Sequence, residues 1–206
     1  TRCPIVDINT EVEKILEIYA TGEDKDGIII TEDFCYVGFL TADALLRIIN
    51  EKNMTMARDQ NPLTKLPGNN SVVDYLTKGL DHPESDWAFI YFDFNDFKPF
   101  NDRYGFRQGD RAITLFADIL QAENLSLPGF LGHVGGDDFF AGFKDLSQDD
   151  IKRFVEHVLE KFKADAEGLY LPEHRTAGKL EAKDRHGQMR SFGLLSCAAA
   201  IVHLNR

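Results

Sequence analysis

Two acidic segments, each next to a run of strand-forming residues, constrain this chain more than any other feature. Residues 87–92 are an aromatic and β-branched run that is too short for an ordinary helix, so they predict a buried strand, and Asp-Phe-Asn-Asp follows at residues 93–96. Residues 130–134 and 139–143 flank Gly-Gly-Asp-Asp at residues 135–138, as two strands flank a hairpin turn. A strand end and a hairpin tip laid side by side would bring several carboxylates within reach of one hard cation. The pairing indicates a metal-dependent nucleotidyl-transfer site.

The charge balance argues against an extended nucleic-acid surface. The 206 residues carry a net charge of −11, and no Lys/Arg-dense stripe is present to follow a phosphate backbone. A phosphorylated small substrate would therefore need Mg²⁺ as an intermediary. With 43% hydrophobic and 28% charged residues, the chain is long enough for one good core and an appendage.

Cysteine usage and hydropathy predict a cytoplasmic location. Cys3, Cys35 and Cys197 lie far apart and lack CxxC spacing, so neither a disulfide framework nor a zinc site is indicated, and a reducing compartment fits best. No apolar run in this fragment reaches the length of a membrane span, and the amino-terminal residues lack a signal-peptide pattern. Because the chain does not begin with Met, we expect it to be a piece of a longer protein.

The hydrophobic pattern divides the chain into three stretches. Residues 1–50 predict a small α-β-β-α unit, residues 51–61 a helical linker, and residues 62–206 the main domain. In the main domain, the order β-α-β-β-α-β with a leading helix predicts an α+β fold of the ferredoxin-like or polymerase-palm type. Its sheet would be antiparallel, with the helices on one face.

Helix caps and a last strand complete the predicted main domain. Ser71 and Ser147 are placed to cap two of its helices. Residues 166–190 lack a clear period and predict a loop or a ragged hairpin. Residues 192–204 alternate and cluster as a final central strand would.

Four segments of the main domain, in this order, resemble the motifs of the GGDEF domain family. They are residues 61–67 (Asn-Pro-Leu-Thr-Lys-Leu-Pro), 93–102, 109–110 (Gly-Asp) and 135–139 (Gly-Gly-Asp-Asp-Phe). The resemblance covers roughly residues 58–206 and implies a nucleotide cyclase-like fold. The family comprises bacterial diguanylate cyclases, which join two GTP molecules into cyclic di-GMP, so the resemblance also implies a role in cyclic di-GMP signalling.

The resemblance implies a catalytic and metal-binding set of residues. Asp93 and Asp137 would be side-chain ligands of two Mg²⁺ ions bound with GTP, and the backbone carbonyl of Phe94 would complete the site. Asp137, at the position proposed to help deprotonate the attacking 3′-hydroxyl, and its neighbour Asp138 are the catalytic candidates. Two Mg²⁺ ions held by carboxylates can neutralise a triphosphate and align an in-line displacement.

The resemblance also implies substrate-binding residues and partners. Asn101 and Asp110 would hydrogen-bond the guanine, and Lys98 would lie near the phosphates. Gly135 and Gly136 would let the backbone approach the nucleotide without a Cβ in the way. The implied partners are GTP, a second GGDEF copy in a homodimer, and an EAL phosphodiesterase domain in the same polypeptide.

The chain departs from the family pattern at several positions. Asp138 stands where the family has Glu, Phe106 where it has His, and Ser126 and Gly129 where it has the charged residues of the product-inhibition motif RxxD. The shorter Asp138 side chain withdraws a carboxylate in a site where a misplacement of about 1 Å can cost roughly 10²-fold in rate. We expect feedback by the product to be lost. We also expect the chain to be truncated before a helix that carries a Lys and an Arg for the triphosphate.

Residues 1–50 resemble the second half of a CBS-domain pair. A strand-Gly-strand-Thr pattern at residues 37–41, followed by an Ala/Leu-rich helix, carries this resemblance. The Asp that often holds an adenosine ribose in such modules is Ala44 here, with Asp43 one residue early. An arrangement of this kind implies a larger signalling protein with an EAL domain.

Plainer interpretations stay open beside these. The segment 93–102 could be only a solvated loop, although its spacing excludes an EF-hand, and Gly135 and Gly136 could form a plain type I′ hairpin turn. His133 is more typical of a satisfied strand residue than of a catalyst. The second functional hypothesis is a degenerate GGDEF module that binds GTP or acts only in regulation and dimerisation. An adenylyl-cyclase-like purine cyclase is disfavoured by the guanine-binding pair.

Overall fold

The chain divides into two compact units, Thr1–Arg58 and Asp59–Arg206. The structure is a computed structural model that describes residues 3–10, 12–21, 26–183 and 187–204. The boundary between the units falls inside the segment 51–61, which the sequence predicts as a linker. Across these described ranges, no helix has both the length and the apolar character needed to span a bilayer.

The first unit is a three-stranded sheet with two helices. Its elements are β1 (Ile5–Asp7), α1 (Val12–Thr21), β2 (Gly27–Glu32), β3 (Cys35–Thr41) and α2 (Ala42–Asp59). β1 runs parallel to β2, which pairs antiparallel with β3, and Val6, Ile28 and Leu45 form the buried core. The sequence predicts α-β-β-α, so β1 is an addition. A strand of 3 residues is too short to show a period in the sequence.

The second unit is an α+β fold built on an antiparallel sheet, as predicted. Its helices are α3 (Asn69–Asp81), α4 (Phe97–Tyr104), α5 (Phe106–Asn124), α6 (Gln148–Ala166) and α7 (Pro172–Ala177), with a 3₁₀ turn at Glu167–Leu169. Its strands are β4 (Trp87–Asn95), β5 (Phe130–Gly135), β6 (Asp138–Lys144), β7 (Lys179–Lys183), β8 (Met189–Gly193) and β9 (Ser196–Leu204). The main sheet has the order β5-β6-β4-β9 with all neighbours antiparallel, and β7 pairs with β8 in a separate two-stranded sheet.

β4 directs alternate side chains to two different clusters. Ile90, Phe92 and Phe94 are buried in the main core together with residues of α5 and α6. Trp87 and Phe89 belong to a second cluster on the opposite face of the sheet. This alternation follows from the period of two in a strand.

α3 covers part of that opposite face, so the prediction of helices on one face only is wrong. The Tyr75 ring of α3 meets the Trp87 and Phe89 rings edge-on, with centroids 5.6 Å and 6.2 Å apart. Tyr91 and Asp93 lie further along the same face of β4 and stay exposed. The sequence shows that α3 has an apolar side but not which face of the sheet it meets.

The cap of α3 also differs from the prediction, whereas the cap of α6 is confirmed. Ser71 is the third residue of α3, and Asp59 provides the cap instead. Its carboxylate accepts hydrogen bonds from the N–H of Asn70 at 3.0 Å and from the N–H and hydroxyl of Ser71 at 2.8 Å and 2.6 Å. The hydroxyl of Ser147 accepts from the N–H of Asp150 at 3.1 Å, as predicted for α6.

Three later elements correct the remaining sequence assignments. α4 was not predicted, because its eight residues follow the acidic segment without a clear helical period. The segment 166–190 contains the 3₁₀ turn, α7, β7 and the start of β8, and its residues 184–186 lie outside the described part. β9 stands at one end of the strand order rather than at its centre, next to the inner strand β4.

Candidate active site

β4 carries the first predicted carboxylate, Asp93, to an open part of the sheet. Phe92 and Phe94, on either side of Asp93, are buried in the core, and the Phe94 ring stacks on Phe162 of α6 at 4.5 Å between centroids. These rings fix the strand backbone. Alternation then turns Asp93 to the opposite, exposed face, where α3 does not cover it.

The signature residues form the tip of the β5–β6 hairpin, as predicted. Gly135 pairs with Asp138 across the turn, and Gly136 has a φ of +59°. Asp137 does not have a positive φ, so the type I′ alternative, which needs positive φ at both central positions, is wrong. A Cβ at Gly135 or Gly136 would meet no described protein atom within 4 Å. The backbone of the tip is therefore open to an approaching molecule.

The strand register brings Asp93 opposite Asp138. Phe92 pairs with Phe139, so Asp93 and Asp138 are the next pair along these antiparallel strands. Although Asp93 is exposed, partial desolvation, together with the charge and hydrogen bonding of Asp138, raises its pKa. Burial also raises the pKa of Asp137, and the charges of Asp93 and Asp138 add to this rise. These three aspartates are called the acidic cluster below.

Two residues that the sequence analysis missed border the acidic cluster. Partial desolvation of the exposed Tyr91, with the hydrogen bond and charge of Asp138, raises the pKa of Tyr91 to about 12. Burial and the nearby aspartate charges likewise raise the pKa of the Cys197 thiol to about 12, so it is neutral at pH 7. Alternation could have identified Tyr91, which lies two residues before Asp93 on the same face. No local signal identifies Cys197, because it reaches the site through the pairing of β9 with β4.

The acidic cluster fits a divalent cation that arrives with a ligand. Like charges raise the pKa of neighbouring acids, and a bound cation removes that repulsion. In the described parts of the chain, no group of three or more His, Cys, Asp or Glu side chains is arranged to hold a metal. Mg²⁺, however, usually takes one or two protein carboxylates and completes its shell with substrate phosphates and water. Asp93, Asp137 and the Phe94 carbonyl are donors of the right chemistry for such a site.

The two predicted guanine-binding residues are neighbours at the junction of α4 and α5. The Asn101 side chain packs against Gly109, where a Cβ would collide with it, and its buried Oδ1 has no hydrogen-bond partner among the described residues. Asp110 follows Gly109 and lines a groove of about 590 Å³ whose walls include Leu63 and Leu115. Asp110 thus lies on a groove of mixed polar and apolar character, as in many ligand sites, whereas the unpaired amide oxygen of Asn101 is buried next to Gly109.

Lys98 and Phe106 occupy exposed positions near these residues. Lys98 lies in the first turn of α4, and within the described residues its amine makes no ion pair. Phe106, the first residue of α5, is 81% exposed. The amine of Lys98 is therefore available to an anionic ligand, whereas Phe106 presents an apolar ring where the family has a polar side chain.

A buried polar pair connects the motif at residues 61–67 to the hairpin. Thr64 and His133 are 7% and 2% exposed, and Thr64 Oγ1 lies 2.9 Å from His133 Nδ1. His133 Nε2 lies 3.0 Å from the carbonyl oxygen of Gly136, and the imidazole stacks on Phe139 at 4.2 Å between centroids. His133 is thus a strand residue with both ring nitrogens hydrogen-bonded.

Sequence comparison links most of the second unit to one family. The profile of the family described as diguanylate cyclase, GGDEF domain, matches residues 57–179, which is more than half of the chain. The cyclic di-GMP phosphodiesterase PdeR of Escherichia coli strain K12 is 24% identical over 116 residues, or 55% of this chain. The chain spans only 17% of the length of that relative.

Solved structures of GGDEF domains share the fold. The coiled coil and GGDEF domain of DgcB from Caulobacter crescentus, solved in complex with c-di-GMP, is 17% identical, with a TM-score of 0.55 over 79% of this chain and 78% of that one. The FimX GGDEF domain from Pseudomonas aeruginosa is 13% identical, with a TM-score of 0.53 over 71% of this chain and 80% of that one. These similarities agree with the nucleotide cyclase-like architecture of the second unit.

Proposed function

The chain belongs to the GGDEF family of diguanylate cyclase domains, and from this membership we propose that its second unit binds GTP with Mg²⁺ and condenses two GTP molecules to cyclic di-GMP. The observation that carries this proposal is the acidic cluster on the uncovered part of the sheet. The charge of Asp138 adds to the raised pKa values of Asp93 and Asp137, and a bound cation would remove this like-charge cost in the ligand-free protein.

In the proposed reaction, the carboxylates of Asp93 and Asp137 and the Phe94 carbonyl would hold Mg²⁺ together with the phosphates of GTP. When bound, the metal neutralises the triphosphate and lowers the pKa of the attacking 3′-hydroxyl. Asp137, whose pKa is raised by burial and by its acidic neighbours, is suited to receive the hydroxyl proton. Asp138, opposite Asp93, completes the acidic cluster, and Lys98 contributes a positive charge for the phosphates.

Guanine recognition in this proposal depends on Asn101 and Asp110. A guanine edge presents N–H donors beside a ring acceptor, and an amide with a carboxylate can match both kinds of group. Adenine lacks the corresponding donors and would leave the carboxylate unpaired, which disfavours it. The unpartnered Oδ1 of Asn101 and the groove lined by Asp110 support this assignment.

The proposed reaction needs two copies of the domain, because each copy holds one GTP. Each nucleotide then supplies the 3′-hydroxyl that attacks the α-phosphate of the other, and pyrophosphate leaves from both. We therefore propose a homodimer as the active form.

We also propose that the first unit is a CBS-like sensor. Thr41 supports this proposal, because its hydroxyl accepts from the N–H of Ala44, at the start of α2, at 3.2 Å. An EAL phosphodiesterase domain in the same polypeptide completes this proposal.

A second candidate function is a degenerate module that binds GTP without turnover or acts only in regulation and dimerisation. Two observations favour it: Asp138 replaces the longer Glu of the family, and Phe106 exposes an apolar ring where the family has His. Either change would weaken the chemistry without disturbing the fold. Neither residue belongs to the main hydrophobic core.

Product formation separates the two functions. The full-length protein is incubated with GTP and Mg²⁺, cyclic di-GMP is quantified by chromatography, and GTP binding is measured by calorimetry. We expect product from the wild type and none from Asp137→Ala, with Asp102→Ala on exposed α4 as a matched control that keeps activity. GTP binding without product would establish the second function instead. Absence of Mg²⁺-dependent GTP binding would reject the cyclase and leave the role in regulation and dimerisation.

A further inference from the structure

The buried pair of Thr64 and His133 supports the backbone of the β5–β6 hairpin, which carries two residues of the acidic cluster. Both side chains are almost fully enclosed. Burying such groups costs free energy unless they are hydrogen-bonded, and here every ring nitrogen and the hydroxyl have partners. The Nε2 atom of His133 is bonded to Gly136, at the tip of the β5–β6 hairpin.

The chemistry of the partners fixes the direction of each hydrogen bond. A carbonyl oxygen can only accept, so His133 Nε2 carries the hydrogen and donates it to Gly136. In a neutral imidazole Nδ1 then accepts, so the hydroxyl of Thr64 donates to it. Burial lowers the pKa of His133 and favours this neutral ring. The Thr64 oxygen accepts in turn from the N–H of Leu66 at 3.4 Å.

Beyond the Gly135–Asp138 pair, the two turn residues have little else among the described residues to hold them in place. Gly135 and Gly136 have φ values of +150° and +59°, and the space where their Cβ atoms would lie contains no described protein atom. Consecutive glycines are the most flexible backbone a chain can have. The Gly136 carbonyl belongs to the peptide group that leads into Asp137, so the His133 bond fixes the peptide plane from which the Asp137 side chain projects.

His133 and Thr64 are themselves held rigidly. The His133 imidazole stacks on Phe139 with 7° between the planes, and its backbone N–H donates to the Pro67 carbonyl at 2.8 Å. The Thr64 N–H donates to the Asn61 side chain at 3.2 Å. The loop at residues 61–67 thus supports the hairpin that carries the second acidic segment, although it lies far from that segment in the sequence.

We propose that Thr64 and His133 are positioning residues of the nucleotidyl-transfer site. The chain of hydrogen bonds from Thr64 through His133 to Gly136 holds the Asp137 carboxylate in the position that the proposed reaction requires. The effect on the nucleotide rests on the proposed function, whereas the ordering of the tip does not. Loss of one such bond should raise the open population of the tip about fivefold. The resulting misplacement of Asp137 should lower kcat by roughly 10- to 100-fold, with KM little changed.

The test compares variants that lack one of these hydrogen bonds with variants that keep it. Thr64→Val and His133→Phe remove the hydrogen bonds and leave an apolar side chain of similar size, and Thr64→Ser restores the hydroxyl. Thr77→Val, at an exposed position of α3, removes a hydroxyl that bonds only to its own helix and serves as the matched control. The ¹⁵N order parameters of the Gly136 and Asp137 amides are measured by NMR without ligand, and kcat and KM are measured with GTP and Mg²⁺.

We expect larger motion of Gly136 and Asp137, seen as lower order parameters, in Thr64→Val and His133→Phe, with β4 unchanged and with Thr64→Ser and Thr77→Val like wild type. Unchanged order parameters at the tip in folded Thr64→Val overturn the inference, even if His133→Phe does not fold. A hydrogen on Nδ1 of His133 in the ¹⁵N spectrum overturns it as well. Lower order parameters in these variants, together with a wild type that binds no GTP, support the positioning role and reject the proposed function. Lower order parameters with an undiminished kcat reject the role in catalysis.

Discussion

Replacing Asp93 with Asn should stabilise the ligand-free protein, because it removes a like-charge contact. Asp93 lies opposite Asp138, and burial with the charge and hydrogen bonding of Asp138 raises its pKa. Two unit charges about 5 Å apart repel by roughly 1 kcal/mol in water and roughly 3 kcal/mol at an effective dielectric constant of about 20. Since Asp93 is exposed, solvent screening brings the expected gain to about 1 kcal/mol, or about 2–4 °C in Tm.

The sign of the pH dependence follows from the raised pKa. Folded Asp93 binds its proton more tightly than unfolded Asp93, so its ionisation destabilises the folded state as the pH rises from the ordinary aspartate range through the raised value. The penalty is fully present at neutral pH. The variant carries no charge at this position, so its advantage over wild type should be largest at pH 7 and disappear as the pH falls below about 4.

Thermal unfolding between pH 4 and pH 8, with and without GTP and Mg²⁺, tests this expectation. The wild type should gain stability from GTP and Mg²⁺, and Asp93→Asn should not. Asp102→Asn, on exposed α4, is the matched control and should change stability by less than about 0.5 kcal/mol. A less stable Asp93→Asn at pH 7, or one that keeps the full gain from the nucleotide, would refute the reasoning.

Three further predictions concern the fold and its regulation. Asp59→Ala should cost about 1–2 kcal/mol in urea unfolding at pH 7 because it uncaps α3, whereas Asp59→Asn should stay close to wild type. Gly142→Ala should cost about 1–3 kcal/mol because a Cβ there collides with the Tyr75 ring, and Gly168→Ala, which faces open space, is its control in the same assay. Added cyclic di-GMP should bind only weakly at residues 126–129 and should not inhibit product formation. The adjacent groove is lined by four carboxylates, one Arg and one His, so its charge repels the phosphates. Calorimetry measures the binding, and product assays measure the inhibition.

The parts of the fold that the sequence predicted are those with a local signal. β4 and the β5–β6 hairpin are continuous runs of strand-forming residues, and α6 has both a helical period and a capping Ser147. The short elements β1 and α4 lack the length to show a period. The cap of α3 by Asp59 joins residues separated by eleven or more positions, so the nearby Ser71 was the more plausible candidate from sequence.

The same division applies to the candidate site. Asp93 and Asp137 could be named from sequence because each lies where a strand pattern ends. That the two meet depends on the β4–β6 register, which the hydrophobic alternation makes the favoured one. The contact between Thr64 and His133 spans 69 residues, and nothing in either local segment indicates it. A buried histidine can be inferred from the apolar run around it, but its partner cannot.

The position of Asp93 and the position of Asp137 are secured by different means, and this explains why a buried polar pair is present. A one-residue slip of β4 would bury the Asp93 charge and expose Phe92 and Phe94, so core packing by itself holds Asp93 at the surface. The hairpin tip has no such packing, because its two glycines face open space. The hydrogen bond from His133 to the Gly136 carbonyl fixes the backbone of the tip, as packing in the hydrophobic core fixes the backbone of β4. Weakening the core should therefore unfold the domain, whereas weakening the bond to Gly136 should leave it folded with a mobile Asp137.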